Sequence, residues 1–198
     1  MSGLFDALLQ GQPATVESMR THTGGDRSRA EHAYSAGVGT ILRGLALKSQ
    51  TEEGATSIWD MIRKHVEQGN IPADAPPPGS GVEVRDMDPK VANDIFKQIF
   101  GKDAPQVEGG FAKVITLDGE TTKKIFAKLL PVVLGQLHGA ASNAPEESSK
   151  ALPDILDGAR AEMESRQPKS GGIFNAIFDR NHDGRVDLGD LLGVFRHS

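Results

Sequence analysis

"ETTKKIFAKLLPVVLGQL", Glu120–Leu137, decides the fold class. Ile125, Leu129, Val132 and Val133 recur at the three- and four-residue steps that place side chains on one helix face. Asp118–Gly119 just ahead reads as a turn, after which a long helix starts. Pro131 lies inside that helix. It has no N–H to donate and its ring crowds the carbonyl four residues back, so a kink or a split is expected there.

The same period continues in both directions. Leu4, Phe5, Leu8 and Leu9 stripe a short first helix that Gly11 and Pro13 are expected to end. "THTGGDRSR" then links to a helix over roughly Ala30–Lys48. Thr51 is placed to N-cap the next helix, with Glu52 and Glu53 in the first turn, where the helix dipole favours anions. Ile58, Met61, Ile62 and Val66 form its inner face, and Gly69 stops it. "NIPADAPPPGSG" is a Pro/Gly linker, about residues 70–87 with its flanks. Asp88–Pro89 restarts a helix in the cap-then-proline order, burying Ile95, Phe96, Ile99 and Phe100. A helix near Val107–Ile115 follows, and after the long helix another carries Leu152, Ile155 and Leu156 before "SRQPKSGG". Strand signals are weak throughout, so the chain reads as all-α, a multi-helix bundle.

An internal echo runs through this order. "GTILRGLALKSQTEEGATSIWDMI" and "PVVLGQLHGAASNAPEESSKALPDIL" each give an apolar turn, a small polar loop, an acidic helix start and an apolar stripe. Two similar hairpins packed together would produce it; so would chance likeness between two amphipathic hairpins.

Composition limits the function classes. At 198 residues, one sizeable core or a core plus an appendage is possible. Aromatics are only 5% of the chain, so Leu, Ile, Val and Ala must build that core. The net charge of −5 and the absence of any Lys/Arg run longer than two argue against binding nucleic acid through phosphate neutralisation. Without cysteine there is no disulfide and no thiolate metal site. The start, "MSGLFDALLQGQ", has no basic segment ahead of its apolar patch, and no apolar run reads as a membrane span. The expected location is the cytoplasm, with signal-less export left open.

The one stretch that announces a chemistry is "FDRNHDGRVDLGDL", Phe178–Leu191. An oxygen-ligand loop needs acidic or amide side chains at alternating positions, a sharp turn and a closing carboxylate. Asp179, Asn181 and Asp183 stand at positions 1, 3 and 5, and Gly184 at the turn position 6. Arg185 at position 7 offers its backbone carbonyl, Asp187 at position 9 binds directly or through water, and Asp190 closes at position 12. The spacing resembles an EF-hand loop, and more closely the dockerin variant, where Asp takes the last place. Asp is one carbon shorter than Glu, so Mg²⁺ competes with Ca²⁺. Ile173, Phe174, Ile177 and Phe178 stripe an incoming helix, and Leu188, Leu191, Leu192 and Phe195 an outgoing one. Such loops normally pair, and no second one is present: "EVRDMDPKVAND" lacks the glycine and "TLDGET" the ligands. The ion is therefore expected to act as a clip on the last hairpin, not as a sensor. The domain division is 1–167 for the helical domain and 168–198 for the cation-loop module.

Other chemistry is thinly signalled. His22, His32, His65, His138, His182 and His197 form no ligand pair and read as surface or satisfied core histidines. Glu52–Glu53 and Glu146–Glu147 are adjacent pairs that point apart on a helix, poorly placed for acid–base work. There is no phosphate-cradling glycine motif and no nucleophile elbow. Trp59 and Met61 read as core. The stripe of Leu4, Phe5, Leu8 and Leu9 reads as a lid on the core, and is also the foremost candidate for self-association.

"DIFKQIFGKDAPQVEGGFAKVITLDGETTKKIFAKLLPVVLGQL" resembles the YidB-like family, bacterial domains of unknown function. Its members join a helix ending in an apolar–Phe–Gly step to a later Leu-Leu-Pro-apolar-apolar-Leu-Gly segment. "ILRGLALKSQTEEGA" is similar to the family's earlier block, and the likeness spans roughly Ala30–Gly139. The resemblance implies a compact helical bundle, homeodomain-like in part, with no established activity and no catalytic residues to carry over. The insert at Pro76–Pro78 departs from it. The combined expectation is a non-enzymatic helical protein with a structural or protein-interaction role, a protein partner or homo-oligomer, and a divalent cation in its last loop. An enzyme whose site is assembled from distant residues, or a DNA-associated homeodomain-like protein, are the rival readings.

Overall fold

The structure, a computed structural model, describes residues 3–73, 84–145 and 148–166. These residues form seven α-helices and one 3₁₀ turn, with no strand among them. The helices are α1 (Leu4–Met19), α2 (Arg27–Lys48), α3 (Glu52–Glu67), α4 (Pro89–Phe100), α5 (Ala104–Ile115), α6 (Gly119–Ser142) and α7 (Ser148–Arg166); the 3₁₀ turn is Gly101–Asp103.

The caps explain most boundaries. Asp26, Thr51, Asp88 and Asp118 each accept a backbone N–H of the first turn of α2, α3, α4 and α6. Each supplies one of the partners that a helix start lacks. Asp26 therefore starts α2 three residues ahead of the expected Ala30. Gly24 and Gly25, at φ of 70° and 80°, make the turn before it, in a region side chains seldom enter.

α1 corrects the first expectation: it does not end at Gly11 or Pro13 but runs on to Met19. Thr15, Val16 and Met19 are buried beyond the proline, and that burial offsets the one hydrogen bond the proline deletes. The Tyr34 hydroxyl donates to the Leu8 carbonyl at 2.7 Å, one turn ahead of the proline, and so ties α1 to α2. Leu4, Phe5 and Leu8 are buried in the chain's own core, and Leu9 packs against it. The stripe is the lid; as the foremost surface for self-association it is withdrawn.

α6 is the centre of the bundle and touches each of the other six helices. It is buried around most of its circumference from Ile125 to Leu137. By length and composition it could cross a membrane, but 72% of its apolar window lies inside the fold, as in the core helix of a packed bundle. The helix is not split at Pro131 and runs without interruption from Gly119 to Ser142. The carbonyl that the proline leaves without its usual donor belongs to Ala127, and the Met87 N–H donates to it at 3.0 Å. A helix defect thus docks the segment entering α4, with Met87 itself buried. Residues 70–73 and 84–88 form no helix, as the linker composition predicts, though Ile71 is also buried in the core.

Phe126 of α6 meets Phe96 of α4 at 4.5 Å and Phe111 of α5 at 4.8 Å between ring centres, at tilts of 44° and 49°. These tilted contacts suit the ring quadrupoles and join three helices at one point. α7 lies against α1, α2, α3 and α6, burying Leu152, Leu156, Ala159 and Met163. Its Glu162 carboxylate stands beside Gly3, where an added Cβ would come within 2.9 Å of Oε2. Gly3 has no side chain with which to cap α1, so α7 supplies an anion at the positive end of that helix.

The two segments with the echoed order form the end of α2 with α3, and the end of α6 with α7. Ile58-Trp59-Asp60-Met61-Ile62 stands against Leu152-Pro153-Asp154-Ile155-Leu156. Ile58, Ile62, Leu152 and Leu156 are all buried, while Asp60 and Asp154 are both exposed. The two hairpins pack on each other, with α7 against both α2 and α3.

Candidate functional site

A concavity lies along the outer face of α3. α3 and α4 each pack on α2, and between them lies an open groove of about 710 Å³ lined almost entirely by polar side chains. Glu52, Glu53, Asp60 and Lys64 line the α3 side with Met61, and Gln98 faces them from α4. Helical spacing explains the shared wall: positions 52, 53, 56, 57, 60 and 64 recur at intervals of three and four along one face. Lys48, from the end of α2, donates through Nζ to the Gln98 carbonyl and bridges α2 to α4 at one end of the groove. Partial burial lowers its pKa from the ordinary lysine value.

Some surface acids are paired along their own helix and others are not. Glu17 pairs with Arg20, Glu31 with Arg27, Glu67 with Arg63 and Glu120 with Lys123, each within one helical turn. Glu52, Glu53 and Asp60 have no ion pair or side-chain hydrogen bond among the described residues. Arg63, on the same helix, is engaged with Glu67 at 4.0 Å. Reading Glu52 and Glu53 as first-turn carboxylates is correct for α3. Asp60 shares their face by helical spacing, whereas Gln98 joins them only through the placement of α4 over α2, which no local pattern contains.

A second polar cluster lies where the linker enters α4. The Lys128 side chain, 6% exposed, is paired at 2.6 Å with Asp86, which is half exposed. Sequence reasoning missed this lysine; its signal was a cation within the apolar run "IFAKLL". His22, between α1 and α2, is held below the usual histidine pKa by burial and then by Lys128, with Asp86 pulling the other way. The pair neutralises a cation inside the fold, where leaving it single would be costly.

The remaining histidines fall as a core-or-surface reading expects. His65 is buried on α3, with Nδ1 3.2 Å from the Asn70 amide nitrogen. Burial lowers its pKa, Lys64 lowers it further, and Asp94 opposes. His138 stacks on Trp59 at 5.4 Å and 8°, with Nδ1 3.2 Å from the Ala73 carbonyl. Trp59 is therefore half in the core and half in a ring stack, while Met61 is buried. His32 is exposed. Asp118, a cap, is held below the ordinary carboxylate value by the Thr121 N–H and then by the Thr121 hydroxyl.

The expected cation ligands Asp179, Asn181, Asp183, Arg185, Asp187 and Asp190 lie outside the described residues, as do Glu146–Glu147, His182 and His197. Among the described residues no three His, Asp or Glu side chains converge as a metal site.

Fold and groove together define a class, an all-α bundle domain built around one buried helix. Compared with known families, the chain matches residues 6–140 to a family described as bacterial proteins of unknown function, DUF937, and it belongs to that family. No curated protein and no solved structure matches it. The match takes in α2–α5 and nearly all of α1 and α6, and ends before α7.

Proposed function

We propose that this chain is a YidB-like member of its family, a cytoplasmic, non-enzymatic module with a structural or protein-interaction role. Its C-terminal loop binds a divalent cation, Ca²⁺ first and Mg²⁺ as competitor. The observation that carries the reading is the register of Asp179, Asn181, Asp183, Gly184, Asp187 and Asp190 on the positions an oxygen-ligand loop requires. Four carboxylates within twelve residues repel one another, and a doubly charged ion removes that penalty. The apolar stripes of Ile173–Phe178 and Leu188–Phe195 would let the closed loop bring two short helices together.

Calorimetric titration of the chelator-stripped full chain tests it. Saturable heat with Ca²⁺, abolished in Asp183→Ala, is expected. No metal cluster occurs among the described helices, so loss of the heat in that variant assigns the ion to the tail. An absence of heat at millimolar Ca²⁺ would end the proposal.

A further inference from the structure

We propose that residues 84–87 form a latched strap on α6, held shut by the Asp86 carboxylate over the buried Lys128 ammonium and lifting separately from the bundle when that charge is removed or screened. The strap shares no residue with the cation loop. Three tethers hold it. The Asp86 carboxylate lies 2.6 Å from Lys128 Nζ. The next residue, Met87, donates its N–H to the Ala127 carbonyl at 3.0 Å and buries its side chain. Val84 packs partly against the core. Two consecutive residues of the strap thus engage two consecutive residues of α6, one through charge and one through the carbonyl that Pro131 frees.

The ion pair is the tether that conditions can change. The Lys128 side chain is 6% exposed, whereas Asp86 keeps half of its side chain in solvent, where salt reaches it. Without the carboxylate's charge the closed strap covers an ammonium that has lost compensation, and a buried cation left so is costly. Lifting the strap lets water reach that ammonium, so the open form does not carry the same cost. The Ala127 carbonyl and the Met87 N–H also find water once the strap lifts. The opening stops at Asp88. Its carboxylate accepts the Lys90 and Val91 N–H groups, a cap contained within the first turn of α4. Phe96 and Phe100 hold α4 in the core beyond it. The unit that opens is therefore the strap, with α4 left in place.

Amide hydrogen exchange of the full chain, followed by NMR over a series of low urea concentrations, tests the latch. The Met87 N–H reports on the strap and the Leu129 N–H, inside α6, on the whole bundle. Met87 is expected to exchange faster than Leu129 and with a weaker dependence on urea, because lifting the strap exposes little surface. Asp86→Asn keeps the shape and removes the charge. It should speed Met87 exchange roughly tenfold, between the effects of an exposed and a buried pair, with the urea dependence still weak. In a Lys128→Met background the same substitution should have no further effect, since no ammonium remains to be stranded. Raising the salt concentration should speed Met87 exchange in the unaltered chain and not in Lys128→Met. Met87 and Leu129 exchanging together, with one urea dependence, would mean that the strap opens only with the bundle and would overturn the proposal. A full effect of Asp86→Asn without Lys128, or a salt response that survives Lys128→Met, would overturn the latch as well.

Discussion

The α2–α3 and α6–α7 hairpins carry the same order of residue types but meet different surroundings. In each, the first helix is buried and the second is striped, with Ile58 and Ile62 of α3 standing where α7 has Leu152 and Leu156. α7 settles against four helices, α1, α2, α3 and α6. α3 leans on α2, α6 and α7, and keeps one wall of a groove open beside α4. Similar patterning thus yields a plug in one place and a rim in the other. The apolar stripe says which face goes in; what becomes of the other face depends on the neighbours.

The comparison also crosses the limit of the family match, which ends at residue 140 and leaves α7 outside. If α7 is as much part of the core as α3, matching deletions in the two hairpins should cost the same. Ile62→Ala and Leu156→Ala each remove a fully buried branched side chain, and each should lower the unfolding free energy by roughly 3 kcal/mol, the usual scale for such cavities. Urea denaturation followed by circular dichroism measures both. A cost under about 1 kcal/mol for Leu156→Ala alone would place α7 outside the cooperative unit.

A smaller difference is expected at the glycines of the two first helices. A Cβ on Gly44 of α2 would stand 2.8 Å from Ile99 Cγ2 and closer still to the Phe100 ring, both inside the core. A Cβ on Gly135 of α6 would stand 2.9 Å from Pro72 Cγ, in the partly buried segment after α3. Gly44→Ala should therefore destabilise by about 1–2 kcal/mol, since core overpacking exceeds the gain in helix propensity. Gly135→Ala should fall within about 1 kcal/mol of the unaltered chain, because Pro72 can shift and the propensity gain offsets the contact. Thermal melts of the two variants would reverse the assignment if Gly135→Ala were the worse.

Local chemistry was readable from the sequence, and long-range placement was not. Thr51 before Glu52–Glu53 and Asp88 before Pro89 are complete cap signals, because the atoms that satisfy the helix start lie within three residues. Gly11 and Pro13 misled for the opposite reason: what carries α1 past them is burial of Val16 and Met19 by helices distant in sequence. Pro131 was readable as a lost donor, but not that the Met87 N–H would take up the freed Ala127 carbonyl. At the candidate site the same division holds. Glu52 and Glu53 were visible as first-turn acids, while the groove they edge exists only because α3 and α4 share α2 as a floor. The proposed cation loop was the most legible motif because its expected ligands all fall within twelve residues, and it lies outside the described residues.

The smallest expected difference between the hairpins is a response to pH. His65 on α3 holds the place that Ala159 holds on α7, so only the first hairpin buries a titratable ring there. Burial, then Lys64, lowers its pKa below the ordinary 6.5, against the pull of Asp94. In the unfolded chain it takes up a proton near that ordinary value, while the native ring does so only at lower pH. As pH falls through 6.5 the unfolded state therefore binds more protons, and stability declines until native His65 also protonates. His22, lowered in the same direction, adds to the slope. The unfolding free energy should be lower at pH 5 than at pH 7, and His65→Gln should shrink that difference. Denaturant midpoints at the two pH values measure the slope independently of any constant cost of the substitution. An identical slope in His65→Gln would mean that the first hairpin is no more sensitive to protons than the second.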